Sequence, residues 1–354
     1  MNLSQEIIIE DITRIASKVD LTPFKNATVL LAGANGLIGS YFAHLFYYLN
    51  EKLSYNTKID LISRHGISSE SKIYGIRNSS NFTILEKDMS QYTSYSKPYD
   101  FMIHAAGYGA PSVFLTEPLK TIDVNYIGLK SMLESAVSLN PLSRILYLSS
   151  SEVYGSPPPE FIPTPETYVG NSSITNNRAC YIESKRLCEV MALSYIKIYN
   201  MYIKIARPAL SYGPGMSVND QRVLSQFIKK GYSGVIDMID AGKDIRSYCY
   251  MSDVLRQLLS ILLYGQDNTY NVGSSEESIS IMELAQKIGK IMNAKVIAGP
   301  GKDSNVTGAP NVVCLDTTKL STEFGFKSEV LMDEGLERII AWNTAFNKEQ
   351  NIKL

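Results

Sequence analysis

A chain of 354 residues is too long for one average domain and too short for two large independent ones, so one large domain with a smaller appended lobe is expected. Hydrophobic residues make up 45% and charged residues 19%, and a formal net charge of −1 leaves no basic surplus for the phosphate backbone of a nucleic acid. No apolar run has membrane-spanning length, the start MNLSQEIIIEDITR carries acids where a signal peptide needs a basic region, and the four cysteines lie far apart; a cytoplasmic protein with reduced thiols, no membrane partner and no metal is expected.

In chain order, residues 1–25 read as an amphipathic helical extension, with Ile7, Ile8, Ile12, Ile15 and Val19 spaced three to four apart. From Ala27 short apolar runs alternate with helical stretches: TVLLAG, IDLIS, FTILEKD, DFMIHAAG, RILYLSS and YIKIARPAL read as strands. That alternation predicts an α/β fold, a Rossmann-type doubly wound parallel sheet over residues 26–211. Beyond Tyr212 the elements shorten and glycine-rich turns interrupt them, so residues 212–354 are expected to form mainly a smaller C-terminal substrate-binding lobe, with room for the chain to cross back to the sheet.

The first strand runs directly into GANGLIG, which places Gly33, Gly36 and Gly39 before the helical pattern SYFAHLFYYL. Such a turn lets backbone approach a pyrophosphate closely and sets it at a helix N-terminus, where free N–H groups and the helix dipole favour negative charge. Asn35, Leu37 and Ile38 of the same loop join the candidate cofactor contacts. The second strand ends in Ile62-Ser63-Arg64 rather than an acid, with Asp60 slightly early in the strand; an arginine there suits a 2′-phosphate and, on residue chemistry, NADP. Asp88 is placed for the adenine edge, the small residues Ala105, Ala106 and Gly107 let the cofactor pass, and Asn125 and Ser149 complete the cofactor side.

Tyr181 and Lys185 form a Y-x-x-x-K on one face of a predicted helix, about thirty residues after Ser150 at a strand end. A lysine ammonium and an oxidised nicotinamide near a phenol both favour phenolate, so Tyr181 is the candidate base for a hydroxyl proton, Lys185 its modulator and cofactor-ribose contact, and Ser150 the group that orients the reacting oxygen. Glu152 follows two residues on.

Taken in order, GANGLIG, HAAG, SSSEVYG, YIESK and RPALSYGPG resemble the extended short-chain dehydrogenases of the NAD-dependent epimerase/dehydratase family, over nearly the whole chain from Ala27 to about Trp342. The resemblance implies a nucleotide-diphosphate sugar as substrate, bound NAD (or NADP, on the strength of Arg64), oxidation at the sugar C4, and a homodimer formed through helices near 120–139 and 179–199. Ser151-Glu152, PETYVGNSSITNNRACYIESKRLCE and GPGMSVNDQRVLSQFIKK are similar to UDP-glucuronate decarboxylases, which implies substrate contacts at Ser151, Asn171, Arg178, Arg222 and Arg246, and Glu152 as the acid or base of a second step. The chain departs from that pattern where VGNSSITNN lacks a tryptophan and a Pro-Ile-Gly core, and where Ser184 replaces a glycine. Decarboxylation of UDP-glucuronate is therefore the leading expectation. A 4,6-dehydratase or C4 epimerase comes next, an NADPH-dependent keto-sugar reductase third, and a non-catalytic dinucleotide sensor is the alternative from another class.

Overall fold

The computed structural model describes residues 2–300 and 310–351. Helix α1 (Leu3–Ala16) opens the chain, followed by β1 (Thr28–Ala32), α2 (Leu37–Leu53), β2 (Lys58–Ser63), β3 (Phe82–Glu86) and β4 (Phe101–His104). A short helix α3 (Pro111–Phe114) precedes α4 (Pro118–Leu139), β5 (Arg144–Leu148), α5 (Ala179–Tyr199) and β6 (Tyr202–Pro208). Strands β1 and β4 are apolar and buried along almost their whole length, the pattern of strands covered on both faces.

The second half holds β7 (Leu210–Tyr212), α6 (Val223–Tyr232), β8 (Val235–Asp237), β9 (Ile245–Tyr250), α7 (Met251–Tyr264) and β10 (Thr269–Val272). It closes with β11 (Ser278–Ser280), α8 (Ile281–Met292), β12 (Lys295–Ile297), β13 (Val312–Val313), α9 (Thr318–Phe324) and α10 (Met332–Glu349). The main sheet has seven parallel strands in the order β10-β6-β5-β4-β1-β2-β3. The order reverses between β1 and β4, and in such sheets ligands bind outside the carboxyl ends of the strands at that point. Segment Met251–Val272 returns to this sheet: α7 buries Val254, Leu255, Leu258 and Leu262 in the same core as α1 and α2, and β10 adds the outermost strand beside β6. The smaller lobe is built on β9, which pairs with β7, β11 and β13, and on a separate β8–β12 pair, over a core that includes Phe227, Ile228, Leu284 and Leu336.

Helix α1 packs its isoleucine stripe onto the main core. In that stripe sits Asp11, fully buried, accepting hydrogen bonds from the Tyr41 hydroxyl of α2 (2.8 Å), the Tyr250 hydroxyl at the end of β9 (2.9 Å) and the Arg338 guanidinium of α10 (2.8 Å). Burial pushes the Asp11 carboxyl up to about 6 although Arg338 pulls the other way. One side chain thus ties the N-terminal helix to both lobes.

Among the described residues, no helix is long and apolar enough to cross a membrane, and all four cysteines are free thiols.

Candidate active site

The glycine loop joins β1 to α2 at the reversal of strand order. Gly33 has φ +85°, and a Cβ there would stand 2.6 Å from the Ala105 carbonyl oxygen at the end of β4; a Cβ at Gly39 would stand 2.1 Å from the Gly33 carbonyl oxygen. Both positions therefore require glycine. Gly36 caps α2 without a side-chain hydrogen bond, which leaves the first amides of the helix open to an anion. The backbone path Gly33–Gly39 and Ala105–Gly107 fits a dinucleotide, and the unpartnered buried Oδ1 of Asn125, close to Gly107, faces the same region.

Several cofactor candidates have their side chains committed elsewhere. Asn35 donates to the Ser63 hydroxyl (2.8 Å) and the Gly66 carbonyl (2.9 Å), and accepts from Ser71 (2.6 Å), so its amide braces the loop after β2. Ser63 donates to Gly66, and Asp88 caps its own turn through Ser90, with Lys120 3.5 Å away. Asp60 is held by Lys97 and by the Tyr99 hydroxyl at 2.6 Å. The Arg64 guanidinium rests against His65 and the Tyr108 hydroxyl. The Ser149 hydroxyl, almost wholly buried, donates to Glu189 (2.5 Å). Glu189 in turn is clasped by Arg207 through bonds of 2.9 and 2.6 Å, and Arg207 reaches the Tyr154 hydroxyl (2.9 Å), which donates to Asn271 (2.6 Å). This buried network, spanning α5, β6, the turn after β5 and β10, is absent from the sequence reading; its signal is Glu189, four residues after Lys185 on the same helix face.

Tyr181 and Lys185 lie on the buried face of α5, and Ser150 ends the loop after β5. The Tyr181 ring stacks on Phe114, with centroids 4.9 Å apart and planes 9° from parallel. Lys185 donates to the Leu148 carbonyl oxygen at 2.7 Å, and its Nζ stands 5.8 Å from the Tyr181 ring centroid. Burial pushes the phenol up to about 12, with the Ser150 hydroxyl beside it pulling down, and burial pushes the Lys185 amine down to about 8. In the protein alone desolvation thus dominates at the phenol, and the two positive charges expected to favour phenolate, the Lys185 ammonium and an oxidised nicotinamide, work against it. His104, under this site, is held near 3 by burial and is neutral.

Beside Tyr181 opens a cleft of about 400 Å³ between the two lobes. Tyr181 and Ser150 are each 7% exposed and lie behind its wall. That wall includes Ser151, Glu152, Asn171, Arg178, Arg222 and Arg246, so every substrate candidate from the sequence meets there. Each of the three arginines is already paired: Arg178 grips Glu152 through both carboxylate oxygens, Arg222 grips Asp220 (2.9 and 2.6 Å), and Arg246 meets Asp244 (3.0 Å). Arg178 is therefore engaged with Glu152, where the sequence assigns it to substrate. Phe114, fully buried against Tyr181, is a site residue that the sequence reading misses.

Fold and site together define a dinucleotide-binding enzyme of the extended short-chain dehydrogenase type, acting on a nucleotide sugar. Residues 29–273 match the NAD dependent epimerase/dehydratase family, and the chain belongs to that family. It is 30% identical to UDP-glucuronic acid decarboxylase 5 of Arabidopsis thaliana over 88% of this chain and 87% of that protein. It is 28% identical to UDP-glucuronic acid decarboxylase 1 of Xenopus tropicalis over 91% of this chain and 72% of that protein. Among solved structures, the fold is similar to a dTDP-glucose 4,6-dehydratase of Streptomyces venezuelae (TM-score 0.76, 18% identity, 91% of this chain and 98% of that one). It is also similar to a UDP-glucose 4-epimerase of Thermotoga maritima (TM-score 0.74, 19% identity, 91% and 99%).

Proposed function

We propose that the protein decarboxylates UDP-glucuronate, by oxidising the sugar C4 hydroxyl and then releasing C6 as carbon dioxide. The observation that carries this reading is that Glu152 is the one carboxylate among the described residues of the cleft wall. Expelling a hydroxyl as water calls for an acid on the departing oxygen and a base on the C5 hydrogen, whereas carbon dioxide departs neutral and leaves only C5 to be protonated. Ser151 in place of a second acid suits the latter. The named relatives support the choice of sugar.

The coenzyme, when bound, takes up the C4 hydride and returns it, so no external oxidant is consumed. Gly33, Gly36 and Gly39 would hold its pyrophosphate, and Lys185 and Asn125 would face its nicotinamide end. NAD is the preferred form: Arg64 already has partners in His65 and Tyr108. Tyr181 accepts the C4 hydroxyl proton and later returns it, and Ser150 orients that oxygen. The C4 ketone makes the C6 carboxylate a β-keto acid. Its C5–C6 bond then breaks, the electron pair passing into a C4–C5 enolate that C5 protonation quenches. Arg222 and Arg246 meet the substrate's anionic groups, as planar guanidiniums suit paired oxygens. Two copies would associate through α4 and α5, where Leu187, Val190 and Ile198 stand exposed along one helix face.

Tyr181→Phe tests the mechanism: turnover is abolished while coenzyme affinity by calorimetry stays within about threefold, since the phenol oxygen serves the chemical step. Undiminished turnover contradicts it.

A further inference from the structure

Glu152 stands in the turn after β5, and Arg178 immediately precedes α5. The Arg178 side chain is 6% exposed and that of Glu152 28%. Nε donates to one carboxylate oxygen at 2.9 Å and a terminal nitrogen donates to the other. The guanidinium also faces the Phe114 ring, 5.2 Å from its centroid, and that same ring lies flat on Tyr181. Guanidinium, phenylalanine and phenol thus form one packed assembly, with Glu152 fixed to its end. A bidentate fork sets both the plane and the distance of a carboxylate, which a lysine point charge does not.

From this geometry we infer that Arg178 is a positioning residue: it aims Glu152 at the sugar for the step after oxidation and does not itself bind the substrate's anionic groups. The inference rests on the decarboxylase reading of the cleft. In that step the C5–C6 bond breaks, carbon dioxide leaves, and C5 takes one proton from solvent by way of Glu152, which ends as it began; one proton is consumed per carbon dioxide released. Oxidation at C4 uses Tyr181 and Ser150 and needs no help from Glu152. Loss of Arg178 therefore slows the second half of the reaction and spares the first.

The experiment is rapid mixing of coenzyme-loaded protein with UDP-glucuronate, following the near-ultraviolet absorbance of the reduced coenzyme and, in parallel, carbon dioxide release. Arg178→Lys keeps the charge and loses the fork. It is expected to accumulate reduced coenzyme during turnover and to release carbon dioxide about 10²-fold more slowly, the cost of a group misplaced by about 1 Å, with KM little changed. Glu152→Gln gives the same signature, and the double variant is no more than about threefold slower than the slower single one, as expected for two residues acting as a unit. Glu152→Asp, which leaves Arg178 in place and withdraws the carboxylate by one methylene, repeats the accumulation should Arg178→Lys fail to fold. A rise in KM at unchanged kcat for Arg178→Lys overturns the proposal in favour of substrate binding. Equal slowing of both halves without reduced coenzyme, or multiplicative losses in the double variant, overturns it in favour of a structural part. Wild-type protein that releases no carbon dioxide sinks the decarboxylase reading and the inference with it; wild-type release matched by Arg178→Lys sinks the inference alone.

Discussion

The Lys185 ammonium donates a 2.7 Å hydrogen bond to the carbonyl oxygen of Leu148, the last residue of β5. Helix α5 is thereby pinned to the strand whose continuation carries Ser150 and Glu152, so the Tyr181 phenol and the Ser150 hydroxyl are held together by a bond one helical turn away. Lys185→Met, which keeps the stem and removes the amine, is expected to lower kcat by about 10²-fold or more. A buried amine held near 8 is charged below that pH and neutral above it, so coenzyme affinity that depends on the ammonium declines as pH passes about 8, whereas an ordinary lysine would hold its charge to 10.5. Calorimetric titration of coenzyme between neutral and alkaline pH checks this; Lys185→Arg should remove the decline.

Gly39→Ala forces a methyl against the Gly33 carbonyl oxygen at 2.1 Å and displaces the turn at the start of α2. Coenzyme affinity is expected to fall at least about tenfold, equivalent to about 1.4 kcal/mol, with the melting temperature less affected than in core variants. Binding of coenzyme to the purified variant is the measurement.

The Arg207–Glu189 pair is buried, with side chains 14% and 9% exposed, and it anchors Ser149 and Tyr154 on either side of the catalytic turn. Removing one partner leaves an uncompensated buried charge, so Arg207→Met should cost about 3–5 kcal/mol in denaturant unfolding. Glu189→Gln leaves the Arg207 guanidinium, which cannot shed its charge, without its counter-ion and should cost at least as much.

Asp11 supplies a pH signature. Its folded value, near 6, lies above the ordinary 3.8, so between those values the folded protein binds more protons than the unfolded chain. Its contribution to stability is full below about 4 and is lost as pH rises through about 6. Asp11→Asn breaks the contact with Arg338 and abolishes this titration. The stability advantage of wild type over Asp11→Asn should therefore widen as pH falls from 7 to 4; a constant gap would mean that Asp11 titrates as an ordinary exposed carboxyl.

Local chemistry was legible where residue type and spacing alone dictate it. Gly33 and Gly39 occupy positions where a Cβ would collide with backbone, and the four-residue spacing of Tyr181 and Lys185 needs nothing beyond helical periodicity. Partnerships across the fold were not legible. Asn35 looks like a cofactor contact because it stands in the glycine loop, yet its amide is taken by Ser63 and Gly66 from the next strand's end. The resemblance assigns Arg178 to substrate, and nothing local says that Glu152, across 26 residues, takes two of its three guanidinium nitrogens. The signal for Asp11 was present, an acid in register with an isoleucine stripe, but its three partners come from α2, β9 and α10. The return of Met251–Val272 to the main sheet likewise depends on packing that no local pattern encodes.

The most direct test of the central claim is mass spectrometry of the product formed from UDP-glucuronate with NAD in deuterated water. The account predicts loss of carbon dioxide with one solvent deuterium incorporated at C5, by wild type and not by Tyr181→Phe. Recovery of unchanged UDP-glucuronate, alongside loss of water from a nucleotide hexose tested in parallel, would contradict it and make the protein a dehydratase.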